Sequence, residues 1–186
     1  ALEPVHLNPA WFIPVVGNVL VPIGGVGFGF VEISWFFFSI GIVFWIVLLT
    51  LVFNRLIFHN PLPERLLPTL VILVAPPSAG FVAWMQITGD LDAFGRILYF
   101  AGLFFVMVVA AQFSRFAKLP FTIAWWAYSF PLAAFSVASF IYADASGHAA
   151  MKSVAYAVYA VLLAVLATLI VKTIGAVRRD EICRPD

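Results

Sequence analysis

Hydrophobic positions in this chain fall into six long runs, and short polar interruptions set where each run stops. The runs cover about 11–30, 34–58, 66–87, 94–113, 120–142 and 150–174. Each is near the roughly 20 apolar residues that a hydrocarbon core about 30 Å thick requires of a helix. The breaks between them are of recognisable kinds. A short turn around Glu32 separates the first two, and His59–Arg65 (HNPLPER) carries two prolines that stop the second helix. Thr88-Gly89-Asp90 precedes the fourth, and Ser114–Leu119 with Arg115 and Lys118 precedes the fifth. Pro120 is placed in the first turn of the fifth run, where its missing N–H costs nothing. A turn over 143–147 leads into the sixth.

The runs alternate in character. The first, third and fifth are interrupted by proline and rich in small residues; the second, fourth and sixth are uninterrupted and bulky. The interruptions share a pattern: Val21-Pro22-Ile23-Gly24-Gly25, Pro76-Pro77-Ser78-Ala79-Gly80 and Phe130-Pro131-Leu132-Ala133-Ala134. Their prolines lie 77 − 22 = 55 and 131 − 77 = 54 residues apart. A fixed period of this size is the mark of a repeat architecture. The expected fold is all-α and polytopic in a membrane: one membrane domain over 1–186, with hairpins at about 9–58, 66–114 and 120–179 and a polar tail at 180–186. Each hairpin pairs a proline-kinked inner helix with a straight outer one.

Composition removes the soluble alternative. Hydrophobic residues make up 64% and charged residues 10%, with a mean hydropathy of +1.08, whereas a soluble domain carries about 25% charged residues. The charges are also sorted. Arg55, Arg65, Arg115, Lys118, Lys172, Arg178, Arg179 and Arg184 flank one set of connections, and only Arg96 and Lys152 flank the other. By the positive-inside rule the richer side, with both chain ends, is cytoplasmic. A net charge of +1 gives no footprint for nucleic acid. The chain opens on Ala1 without a charged and apolar leader, and it is expected to be a piece of something longer.

Little in the sequence points to chemistry. Cys183 is the single cysteine, so neither an intrachain disulfide nor a thiol cluster can form. His6, His59 and His148 have no partner at metal-ligand spacing, and Asp144 with His148 reads as a solvated loop. No nucleophile–base pair and no phosphate-cradling glycine loop is present. No metal, cofactor or enzymatic activity is expected. An integral-membrane enzyme would need polar groups gathered at one membrane face, and here they are scattered over both.

The repeated proline–small–small cores are then the main functional signal. Small residues at a kink leave room for a narrow passage, although they also serve close helix packing. Candidate lining and kink residues are Pro22, Gly24, Gly25, Pro77, Ser78, Gly80, Pro131, Ala133 and Ala134. Where the first two repeats carry Val21 and Pro76, the third carries Phe130, a ring placed to plug such a passage or simply to pack. No acidic or basic residue lies near the middle of any run. Coupled carriers usually place one there, so passive conduction is favoured.

Two stretches carry a family resemblance. Asn8-Pro9-Ala10-Trp11-Phe12-Ile13-Pro14-Val15-Val16-Gly17 and Ala124-Trp125-Trp126-Ala127-Tyr128-Ser129-Phe130-Pro131 resemble the tellurite-resistance/dicarboxylate transporter family, which includes malate and sulfite transporters and plant slow anion channels. The resemblance implies ten helices in five hairpins around a quasi-five-fold pore, of which this chain matches the last six helices. It further implies a homotrimer, a bacterial inner membrane, and a pore occluded by the phenylalanine that Phe130 matches. The implied cargo is a small anion such as chloride, nitrate, sulfite or malate, carried by a channel or alternatively by a proton-coupled dicarboxylate or sulfite transporter. Tellurite itself is named only by the family's phenotype.

Overall fold

A computed structural model describes residues 7–180, with the side chain of Arg65 left out; His6, Cys183 and Arg184 lie outside the described residues. The described chain is helical, and six segments are long and apolar enough to cross a membrane: Pro9–Phe28, Val31–Phe58, Leu66–Thr88, Ala93–Ala110, Ile123–Ser146 and Ala149–Arg178. Their α-helical parts are α1 (Phe12–Gly25), α2 (Val31–Phe58), α3 (Ala75–Thr88), α4 (Ala93–Ala110), α6 (Ser129–Ser146) and α7 (Ala149–Arg178), with a single turn, α5 (Phe113–Phe116), between α4 and α6. The remaining parts are 3-10 helix, at Pro9–Trp11, Val26–Phe28, Glu64–Val74 and Ile123–Tyr128.

Each hairpin turns on a glycine in the left-handed region: Gly29 at φ 82°, Gly89 at φ 76° and Gly147 at φ 68°. An L side chain is strained in this conformation, whereas glycine enters it freely. The amide of each turns back onto the helix it ends, Gly29 to the Val26 carbonyl (3.0 Å), Gly89 to Met85 (2.9 Å) and Gly147 to Asp144 (3.3 Å). These glycines lie 89 − 29 = 60 and 147 − 89 = 58 residues apart. α6 therefore runs through Asp144 to Ser146, where the sequence reads as a turn, and only Gly147 stops it.

Other boundaries also move. Pro120 lies outside the fifth span, which begins at Ile123 after an extended Thr122 (φ −137°, ψ 163°). The Pro120 carbonyl accepts from the Trp125 indole at 3.1 Å instead of opening a helix. α7 extends to Arg178, four residues beyond the hydrophobic run.

α1 packs on α2, α3 on α4 and α6 on α7, which makes the three hairpins. α1, α3 and α6 also pack on one another in chain order, with α3 between the other two. Every side chain from Pro68 to Ala83 is buried, whereas α7 is the least covered of the spans. Close approach relies on small residues at two crossings. A Cβ on Gly41 of α2 would collide with the Val19 side chain of α1, and one on Gly102 of α4 would lie 3.0 Å from Ser78 Oγ and 3.2 Å from the Phe135 ring. Around Gly102 the aromatic core closes: Tyr99 of α4 stacks on Tyr142 of α6 at 3.9 Å between ring centroids, with Phe81 and Phe135 beside them.

Candidate functional site

Proline chemistry sets how the third and fifth spans are built. Pro68, Pro76 and Pro77 supply no N–H, so an i→i−4 ladder cannot run through 64–77. The backbone uses i→i−3 bonds instead, with Leu66 donating to the Pro63 carbonyl (2.8 Å) and Ala75 to that of Ile72. The α-helix starts only at Ala75, two residues before Pro77. The fifth span repeats this: Trp125 donates to the Thr122 carbonyl (3.0 Å), Ser129 to that of Trp126, and α6 begins two residues before Pro131. Proline at the third helical position costs little, because the first four N–H groups of a helix have no partner within it. Runs of 3-10 helix beyond a few residues are uncommon and often mark hinges; here one extends over Glu64–Val74.

The first span breaks the expected correspondence. Pro22 is the eleventh residue of α1, close to its end at Gly25, and the helix continues through it. The proline two residues into α1 is Pro14, following the 3-10 turn Pro9–Trp11. α1 and α3 are each 14 residues long, so Pro14 and Pro77 stand at the same distance from the ends of their helices. Pro14 is therefore the structural counterpart of Pro77 and Pro131. The spacing along the sequence points to Pro22 because α2, at 28 residues, is ten longer than α4, at 18.

The candidate residues separate by environment. Pro77, Ser78 and Gly80 are buried; a Cβ on Gly80 would meet Ile42 at 3.4 Å and Leu98 at 3.6 Å, and Ser78 Oγ donates to the Val74 carbonyl at 2.6 Å. Gly25 faces Ser34 of α2, so its smallness serves the first hairpin's packing. Gly24 is exposed, and a Cβ added to it would meet no atom within 4 Å; the same holds for Gly17, two turns earlier on α1. Ala133 and Ala134 are half-buried, and Pro22 and Pro131 are buried.

Phe130 is 44% exposed although it sits at the start of α6 within a membrane span. Residues at i+3, i+4 and i+7 share a helix face, so Ala133, Ala134 and Val137 continue the face that Phe130 heads. Other rings of α6 have partners: Phe135 and Tyr142 pack toward α4, and Phe140 packs on Tyr156 and Tyr159 of α7. By the same periodicity Ile13, Gly17, Val21 and Gly24 form one face of α1, and Ile13 holds in α1 the place that Phe130 holds in α6. The proline–small–small pattern does not single out Ile13 and Gly17. The signal that does is Phe12-Ile13-Pro14 beside Ser129-Phe130-Pro131, a bulky residue directly before an early proline.

The α1 face carries no charge, and on the α6 face the one charged residue within the span is Asp144, exposed near the far end of the helix from Phe130. The buried hydroxyls of Ser34 and Ser139 return to backbone carbonyls one turn earlier, Ser34 to that of Phe30 (2.7 Å) and Ser139 to that of Phe135 (2.8 Å). The carbonyls of Asn18, Leu73 and Ala127 lose their α-helical donors to Pro22, Pro77 and Pro131. Among the described residues no group of three or more His, Cys, Asp and Glu could hold a metal. Cavities bordering the bundle include one of about 400 Å³ lined by Glu64, Pro68, Thr122 and Trp125, and one of about 280 Å³ between α1 and α2. Neither includes Phe130.

Known proteins with similar sequences agree on a class. The chain is 32% identical to the S-type anion channel SLAH3 of Arabidopsis thaliana over 88% of its length, which is 25% of that channel. It is 28% identical over 95% of its length to an uncharacterized transporter of Methanocaldococcus jannaschii, covering 57% of it. With a sulfite efflux pump of Arthroderma benhamiae the identity is 25% over 72% of this chain and 44% of the pump. The chain thus spans about a quarter of the plant channel and somewhat over half of the archaeal transporter. These relatives are channels and transporters, not enzymes. The family model described as SLAC1, voltage-dependent anion channel, matches residues 2–174, and this chain of six apolar spans belongs to that family.

Proposed function

We propose that the protein is a passive channel for small anions, with Phe130 as the plug of its conducting path. The observation that carries this reading is the Phe130 ring: half-exposed, without a ring partner among the described residues, on a helix whose other large rings are packed. It stands where 3-10 helix gives way to α-helix, so a modest change in winding would rotate it. Ala133 and Ala134 below it, with Gly24 and Gly17 of α1, present small surfaces that leave room for an ion. Ser78, Gly80 and Gly25 contribute by drawing the helices together, and Pro22, Pro77 and Pro131 by interrupting the backbone ladder.

Anion preference has a physical basis in what lines these faces. An aromatic ring is positive at its edge, and the one carboxylate in line with these faces, Asp144, stands near the end of α6 away from Phe130. Chloride, nitrate, sulfite and malate are the proposed cargo class, the sulfite efflux pump among the relatives giving one precedent for an oxyanion. The assembly proposed from the family resemblance is a homotrimer in a bacterial inner membrane, with the arginine- and lysine-rich end in the cytoplasm.

A proton-coupled dicarboxylate or sulfite carrier is the second reading. The spans lack the midplane ionisable group that such coupling usually uses, which favours the channel. Anion flux into liposomes separates the two. A channel gives flux that follows the anion's electrochemical gradient and does not depend on a pH gradient; malate or sulfite uptake that saturates and requires a pH gradient would overturn it.

A further inference from the structure

We propose that the end of the α6/α7 hairpin bearing Lys172 is a binding site for the headgroup of an anionic phospholipid. The ammonium of Lys172 lies 5.3 Å from the centroid of the Trp125 ring and 5.9 Å from that of Phe121. The next residue, Thr173, accepts a hydrogen bond from the Trp126 indole at 3.0 Å. Two consecutive tryptophans thus clasp α7 at one level, and the Trp125 indole N–H is already committed to the Pro120 carbonyl. The rings fix where the lysine's charge stands without neutralising it. Among the described residues Lys172 has no carboxylate partner; Glu64 lines the cavity next to Trp125 and makes no ion pair with it.

The surroundings favour a lipid over a small ion. Tryptophan and lysine at the end of a spanning helix stand at headgroup depth, where a fixed cation attracts a phosphate. Ile170, Val171 and Ile174, on either side of Lys172 along α7, are exposed apolar side chains that offer a surface for an acyl chain. Lys118, close in sequence to Phe121, and Arg178 of α7 are exposed and add positive charge at the same end. The occupant is an anionic phospholipid such as phosphatidylglycerol, whose net charge is not cancelled by its own headgroup as that of phosphatidylcholine is.

Native mass spectrometry of the purified full chain in detergent, given equal amounts of phosphatidylglycerol and phosphatidylcholine, tests this. The expected result is preferential retention of phosphatidylglycerol, weakened about fivefold in Lys172→Gln, as about 1 kcal/mol per basic residue near a membrane surface implies. Lys172→Arg keeps the preference. Trp125→Phe reduces it partly, because the smaller ring holds the cation less firmly. Equal retention of the two lipids, or an undiminished preference in Lys172→Gln, would overturn the proposal. So would displacement of the lipid by millimolar inorganic phosphate, which would make this a small-anion site.

Discussion

At the scale of single residues, the glycines divide into those that hold the helices together and those that leave space. Gly102 of α4 touches Ser78 and Phe135, so Gly102→Leu has nowhere to place its side chain. Overpacking of this kind costs about 1–3 kcal/mol, and thermal unfolding in detergent is expected to show a loss of that size. Gly24→Ala meets nothing within 4 Å and replaces a helix-disfavouring residue, so it is expected to be neutral or to stabilise by up to about 1 kcal/mol. Asp92 is the N-cap of α4, accepting from the Gly95 amide at 2.8 Å and from the Trp84 indole at 2.8 Å. The Gly95 amide in particular holds the carboxyl below the ordinary aspartate value of 3.8. A folded-state value lower than the unfolded one means that the stabilisation is fully present above the ordinary carboxylate range and disappears as pH falls through the depressed value. Wild type is therefore expected to exceed Asp92→Ala in stability by a constant margin near neutral pH, with the margin narrowing below about pH 4. A margin that grows on acidification would contradict this capping role.

At the scale of elements, the prolines are of two kinds, and stability measurements can tell them apart. Pro22 lies inside α1 and denies the Asn18 carbonyl a donor. An interior proline costs about 3 kcal/mol and alanine gives back about 1 through the unfolded chain, so Pro22→Ala is expected to stabilise by about 2 kcal/mol. Pro131 sits at the third residue of α6, so the carbonyl it leaves without a donor, Ala127, belongs to the preceding 3-10 segment and no bond within α6 is lost. Pro131→Ala is expected to leave stability unchanged or slightly lower while altering conduction, because a continuous α-helix would turn Phe130 to a different face. Equal effects at both positions would contradict the placement of the two prolines.

The spans themselves are legible in the sequence because hydrophobic run length and proline-glycine breaks act locally. Phe130 is legible as an exception among three similar cores. The correspondence of Pro14 with Pro77 and Pro131 is not, because it depends on helix lengths and on a 3-10 to α junction that no local pattern marks. Nor does the sequence reveal that Gly80 and Ser78 face other helices while Gly24 faces open space. All three are small residues beside or near a proline, and only tertiary packing distinguishes them.

At the scale of the whole molecule, three hairpins pack with α3 enclosed between α1 and α6, and each of those two keeps one face of small or apolar residues uncovered. A single phenylalanine heads the face on α6. Membership of the voltage-dependent anion channel family gives that arrangement its function class, and the conducting path and its plug follow as the proposal. Anion current through the reconstituted full-length protein, wild type against Phe130→Ala, tests it most directly. The account predicts a current several times larger in the variant, reversing at the anion's equilibrium potential. A well-folded Phe130→Ala with unchanged or smaller current would contradict it and leave Phe130 a packing residue.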